Sequence, residues 1–291
     1  MMSGSAKISD FYQDRITCFI DILGFSRDVA SIDANPALFL SVDAVLRRVG
    51  MCKSNIDGAR TRGGTSYDAR MSCFSDCLVV SYKCEPGATL RALSDAAFLG
   101  QVIVRPGYLP RGAMTVGRLY HDDVVVYGGA LVEAANLESS VVSTPRIAIT
   151  ERCMEFVRAD FSRDGSSDLQ EDFIRDYGSG PFVHILGREW PFLKKERQQE
   201  QAGELHGDGV ADMFREVRRA LPLRYAHAPH EGAKRKLEWM RDYVNRSVDE
   251  HGLPEDFKVL LPKPGCLRQL RQMVKRVSRV TVSRLRSRRA S

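Results

Sequence analysis

Across its 291 residues the chain has no apolar run near the roughly 18 residues that a membrane-spanning helix needs, so no membrane span is expected. Residues 1–10 carry no apolar stretch of the kind that forms a secretory leader, so none is expected. The seven cysteines, at 18, 52, 73, 77, 84, 153 and 266, are odd in number and follow neither zinc nor disulfide spacing. They read as buried, reduced thiols of a cytoplasmic protein. The six histidines show no ligand spacing such as His-x-x-x-His, which argues against a zinc centre. There is no P-loop. Tyr177-Gly178-Ser179-Gly180 lacks the Gly-x-Ser-x-Gly order of a nucleophile elbow. No internal repeat is found.

Acidic side chains are missing from one stretch. Residues 263–291 hold ten Lys or Arg and no Asp or Glu. The formal net charge of +6 comes from this tail, because the rest of the chain sets 33 basic residues against 37 acidic ones. A mildly acidic body with a basic tail gives no nucleic-acid footprint for the whole protein, and no direct nucleic-acid binding is expected. What is present in ordinary measure, 43% hydrophobic and 27% charged residues, suits a globular protein with a sizeable core.

Taken in order, the chain alternates strand and helix signals. Arg15 to Ile22 reads as a first strand and Ser26 to Asn35 as a connection. A helix is predicted over about 36–52 from the spacing of Phe39, Val42, Val45, Leu46 and Val49. Gly58 to Ser66 reads as a loop and Ala69 to Tyr82 as a hairpin. Leu90, Leu93, Ala97, Leu99 and Val102 mark a second helix that ends before Pro106-Gly107. Arg111 to Tyr120 and Val124 to Tyr127 read as strands, Ala130 to Ser140 as a helix, and Arg146 to Thr150 as a further strand. This order is a βαββαβ unit of the ferredoxin-like type within an α+β fold. Beyond residue 151 the signals thin to a polar loop at Ser162–Ser167 and helices at Val210–Leu221 and Gly232–Val248, with an apolar stripe of Leu267, Leu270, Val274 and Val277 in the tail.

Two stretches carry chemistry. Cys18-Phe19-Ile20-Asp21-Ile22-Leu23-Gly24-Phe25-Ser26 places one carboxylate at the end of an apolar strand, before a Gly-Phe turn whose backbone N–H groups suit an anion. In Met71 to Tyr82, Ser75-Asp76 interrupts two apolar runs as a tight hairpin does. Alone, each aspartate also reads as a capping or turn residue. Together, Asp21 and Asp76 are what two-metal phosphoryl chemistry needs: carboxylates at strand ends that hold divalent cations against a triphosphate.

Phe19-Ile20-Asp21-Ile22-Leu23-Gly24-Phe25 resembles the first metal motif of class III nucleotide cyclases, and Phe74-Ser75-Asp76 is similar to the hairpin that carries their second metal aspartate. Arg111-Gly112-Ala113 to Gly117 resembles their next strand, and Gly128 to Glu138 the strand-turn-helix that follows. The resemblance spans roughly residues 15–150. It implies that Asp21, Asp76 and the Ile22 carbonyl hold two Mg²⁺ or Mn²⁺ ions, and that a ribose 3′-OH attacks the α-phosphate with release of pyrophosphate. It further implies a homodimer with active sites at the interface. Phe19, Gly24, Phe25, Ser72 and Phe74 are then candidate substrate-binding residues. Arg111 is the candidate for phosphate or transition-state charge, since its fork matches phosphate oxygens.

The chain departs from purine cyclases at four positions. Their base-reading Lys falls on Ser72 and their base-reading Asp on Val125; their Asn and Arg for the ribose and the transition state fall on Val132 and Asn136. Metal positions kept and purine readers changed resembles the pyrimidine cyclases of bacterial Pycsar antiphage systems. That likeness implies a UTP substrate, cyclic UMP as product, and a separately encoded effector that answers to the cyclic nucleotide. CTP with cyclic CMP is the alternative. Other readings are a degenerate cyclase-homology module that senses a nucleotide, a purine cyclase if the alignment is shifted, and an RNA-binding ferredoxin-like fold, which would want exposed aromatics for base stacking and is disfavoured by the Asp21, Asp76 and aliphatic side chains on the strands. The expected organisation is a catalytic domain over 1–155, a mostly helical extension over 156–262 that packs on that domain or the dimer, and a basic amphipathic tail over 263–291. The tail reads as a solvated arm, a packing helix, or a membrane-surface or nucleic-acid contact.

Overall fold

In the computed structural model, residues 11–57, 68–163, 170–187, 190 and 210–262 are described. They divide into two compact units that interleave along the chain: residues 11–22, 49–57, 68–100, 110–163, 170–187 and 190, and residues 23–48, 101–109 and 210–262.

The first unit is built on a mixed sheet. Its strands are β1 (Gln13–Leu23), β2 (Ala69–Phe74), β3 (Cys77–Lys83), β4 (Leu109–His121), β5 (Val126–Tyr127), β6 (Ile147–Ile149), β7 (Ile174–Arg175) and β8 (Phe182–Val183). They lie in the order β2-β3-β1-β4-β6-β8-β7, with β5 paired to β4. The helices between them are α1 (Phe25–Ala30), α2 (Ala37–Asp57), α3 (Ala88–Val104), α4 (Gly129–Ser140), α5 (Glu151–Arg163) and α6 (Gln170–Phe173). The run β1-α2-β2-β3-α3-β4, with β1 between β3 and β4, is the ferredoxin-like arrangement expected from the sequence, and the α+β class is the one found.

Side chains alternate along β1. Ile16, Cys18, Ile20 and Ile22 are buried on one face, continuous with Leu78, Val80 and Tyr82 on β3. Helix α3 covers that face: the Tyr82 hydroxyl donates to Asp95, which also accepts from Arg91 Nε at 2.6 Å. Arg15, Thr17, Phe19 and Asp21 point to the opposite face, beside Cys77, Val79 and Ser81 of β3 and Ser72 and Phe74 of β2.

The second unit is helical. Helix α7 (Val210–Ala226) buries Val210, Met213, Phe214, Val217 and Leu221 at helical spacing, and α8 (Glu231–Glu250) buries Leu237, Met240, Tyr243, Val244, Ser247 and Val248. Asp28, buried, pairs with Arg224 and accepts from the Tyr108 hydroxyl at 3.0 Å. The Arg224 guanidinium lies 3.7 Å over the Tyr108 ring centroid.

Several expectations are corrected. The connection Ser26 to Asn35 contains α1, because Gly24, at φ 88°, turns the chain straight from β1 into a helix. The helix of about 36–52 runs on to Asp57. Of Val124–Tyr127, Val126 and Tyr127 alone form a strand, since Asp122 Oδ1 takes the N–H groups of Val124 and Val125 at 2.8 Å each. Ser162 and Arg163 end α5 and are not loop; the remainder of that loop, the loop at 58–66 and the tail at 263–291 lie outside the described residues. Helix α7 passes through Pro222 to Ala226, held beyond the proline by Arg224 on Asp28. Among the described residues no helix is long and apolar enough to cross a membrane.

Candidate active site

The ladder between β1 and β3 puts Asp21 directly opposite Cys77, and beyond that pair the Ile22 N–H donates to the Asp76 carbonyl at 3.1 Å. The hairpin closes on Phe74 and Cys77, leaving Ser75 and Asp76 as a two-residue turn. Ser75 takes φ 59°, which a β-hairpin turn of this length favours and most side chains avoid. The result is that Asp21 and Asp76, 55 positions apart in sequence, sit side by side. One oxygen from each carboxylate and the Cys77 Sγ all lie within 4.8 Å of one another.

Strand β4 brings the cation. Gly112 permits it: a Cβ there would stand 2.1 Å from the Phe19 carbonyl oxygen, so only glycine lets β4 come this close to β1. Arg111, next to it, reaches Asp21 with Nη2 3.6 Å from Oδ2, and the same nitrogen pairs with Glu138 on α4. All three side chains are largely buried. Arg111 Nε is buried and has no acceptor among the described residues, so the guanidinium carries unused donor capacity. Burial, reinforced by the Glu138 and Asp76 charges, outweighs Arg111 and pushes the Asp21 carboxyl up to about 6.

This donor set fits a hard divalent cation. Asp21 and Glu138 flank one arginine, and Asp21 and Asp76 offer oxygens at close range, as Mg²⁺ and Mn²⁺ require. Cys77 fits less well, because its sulfur is a soft donor for such ions; burial and the neighbouring carboxylates push its thiol up to about 11 in the metal-free site.

The remaining expected site residues divide. Phe19 shares the Asp21 face of β1, and Phe74, 53% exposed, stands at the hairpin tip. Ser72 is on that face too, but its hydroxyl is engaged: Ser72 Oγ lies 2.9 Å from His121 Nε2, and Ser81 Oγ lies 2.8 Å from His121 Nδ1. Arg15 Nε donates to Ser81 Oγ at 2.9 Å. The Arg15 charge disfavours an N–H pointing toward it, so Nδ1 accepts and Nε2–H donates to Ser72. Burial, helped by Arg15, holds the His121 imidazole down at about 4, so it is neutral. Gly24 and Phe25 belong to the second unit, where Gly24 precedes α1 and the Phe25 side chain is buried.

Sequence reasoning assigned no role to Glu138, Cys77 or His121. Glu138 closes the Gly128–Glu138 stretch, and Cys77 follows from the hairpin register once Asp76 is placed. Nothing in the local sequence marks His121.

No family model matches the chain, and no curated protein matches it. Among solved structures, the catalytic core of a rhodopsin-guanylyl cyclase with converted specificity, in complex with ATPαS, is similar at 14% identity and a TM-score of 0.34, over 59% of this chain and 92% of that one.

Proposed function

We propose that the protein is a pyrimidine nucleotide cyclase that converts UTP to 3′,5′-cyclic UMP and pyrophosphate. The observation that carries this reading is the convergence of the Asp21 and Asp76 carboxylates within 4.8 Å, with Arg111 3.6 Å from Asp21. In the reaction the 3′-oxygen forms a bond to the α-phosphorus, the bond from that phosphorus to the bridging oxygen breaks, and the hydroxyl proton is lost.

Asp21 and Asp76, with the Ile22 carbonyl, would hold the divalent ions. A bound Mg²⁺ or Mn²⁺ supplies Lewis acidity toward the hydroxyl and the phosphates. Arg111, with its uncommitted Nε, stabilises charge on the phosphates, and Glu138 fixes its fork. Ser72 reads the base. With His121 Nε2–H donating to its oxygen, the Ser72 O–H is left to donate to a base carbonyl, and uracil offers two. Cytosine keeps one of those carbonyls, so cyclic CMP is the alternative product.

The homodimer reading rests on exposed apolar side chains of the first unit. Phe74, Val124, Val125, Tyr127 and Val132 are between 43% and 81% exposed. Val125 and Val132, together with the exposed Asn136, occupy positions where purine cyclases carry substrate-contacting residues, so a second copy placed here would border the site. The product would act as a second messenger for a separately encoded antiphage effector.

The test is incubation of purified protein with ATP, GTP, CTP and UTP in Mn²⁺, with products read by mass spectrometry beside Asp76→Ala. A cyclic pyrimidine nucleotide absent from the variant supports the reading. Cyclic AMP or GMP removes the base assignment, and no cyclic product from any of the four removes the cyclase.

A further inference from the structure

We propose that the second unit carries its own binding site for a small organic phosphate, of mononucleotide size or less. The proposal is independent of the cyclase reading. The unit holds a cavity of about 240 Å³ into which Arg27 of α1, Arg224 of α7, Lys236 of α8 and His230 before α8 all contribute. Among the described residues no carboxylate lines it, so three cationic side chains border a cavity in a mildly acidic body.

The two arginines are held in place before any ligand arrives. Arg224 is fixed by its ion pair with Asp28 and by the Tyr108 ring beneath it. Arg27 Nη2 lies 3.1 Å from Asp28 Oδ1, so one buried carboxylate orients both guanidinium groups. Burial alone would raise the Asp28 pKa, but Arg224 and Arg27 outweigh it and the carboxyl lies below its ordinary value. Asp28 is therefore ionised, and each of the two guanidinium groups keeps N–H donors beyond those that Asp28 takes, which a phosphate monoester can accept. His230 adds a directed donor. Its Nδ1 accepts from the Ala233 N–H at 3.1 Å, which leaves the proton on Nε2. Leu23, Leu109 and Leu237 supply apolar wall, so the cavity suits an organic group beside the phosphate.

The experiment uses the full chain bearing Asp21→Asn and Asp76→Asn, in EDTA, so that metal-dependent nucleotide binding elsewhere does not contribute. Calorimetric titration is run with UMP, AMP, ribose 5-phosphate, inorganic phosphate and uridine. The expected result is micromolar binding of at least one phosphate monoester and none of uridine. Binding should weaken tenfold or more in Arg27→Ala/Lys236→Ala, and also in Ala233→Leu, which fills the cavity without changing charge. Both variants leave the Asp28–Arg224 pair intact, and circular dichroism checks that they fold. Failure of every phosphate to bind below about 1 mM, or binding unchanged in both variants, overturns the site. Inorganic phosphate binding as tightly as the monoesters overturns the organic ligand.

Discussion

The backbone N–H of Ile22 donates to the carbonyl oxygen of Asp76, and through that one bond the end of the central strand and the tip of a hairpin become a single rigid piece. Asp21 sits on the ladder between β1 and β3, and Asp76 follows it in the turn that this bond ties down. Burial, with the Glu138 and then the Asp76 charge added to it, keeps the Asp21 pKa raised despite Arg111.

Replacing either carboxylate tests the centre. Asp21→Asn and Asp76→Asn should each lower cyclic-nucleotide formation at least a hundredfold and abolish Mn²⁺ binding by calorimetry. In metal-free protein at pH 7, Asp21→Asn should also raise stability by about 1 kcal/mol, because the wild-type group is charged there against burial and two like neighbours. A variant that loses activity and stability together would mean Asp21 serves the fold.

Cys77 sits among the carboxylates without joining them. Since its thiol is pushed up to about 11, Cys77→Ser should leave Mn²⁺ affinity within about twofold, and alkylation by iodoacetamide at pH 8 should be slow. Fast alkylation would show a thiolate and return Cys77 to the list of ligands.

Gly112→Ala asks whether close strand approach builds the site. The added methyl would lie 2.1 Å from the Phe19 carbonyl, so β4 must separate from β1. Urea unfolding should show a loss of about 3 kcal/mol or more. Activity should fall even at temperatures where the variant is folded, since Arg111 moves with the strand.

The neutral His121 predicts an acid limit. Its pKa is near 4 in the folded state against the ordinary 6.5, so the unfolded chain binds a proton first as pH falls. Stability is full above about pH 6.5 and is lost as pH drops toward 4, by as much as about 3 kcal/mol. His121→Gln should flatten that part of the stability profile. A variant profile parallel to wild type between pH 4 and 6.5 would place the acid sensitivity elsewhere.

Much of this was legible in the sequence, for physical reasons that can be named. β1 and the hairpin announce themselves because Asp21 and Ser75-Asp76 interrupt largely apolar runs. Helices α7 and α8 show through their stripes. Helix α5 did not, because Glu151, Arg152, Glu155, Arg158, Asp160 and Arg163 outnumber the buried Cys153, Met154, Val157 and Phe161 that define its inner face. β7 and β8, at two residues each, are too short to show a period of two. The aspartates were readable as local interruptions. Glu138 on Arg111 and His121 on Ser72 were not, since they meet only after strand pairing joins distant segments, the latter pair 49 residues apart.

The alternation along β1 has a consequence for how such a sequence can drift. Odd-numbered residues from Arg15 to Asp21 face the site, and even-numbered ones from Ile16 to Ile22 face the helix-covered core. Loss or gain of one residue inside that strand would send Asp21 into the hydrocarbon interior and bring Ile20 or Ile22 out in its place. The chemistry is thus stored as a parity. Length changes can accumulate in the connections, but within this strand they survive only in pairs.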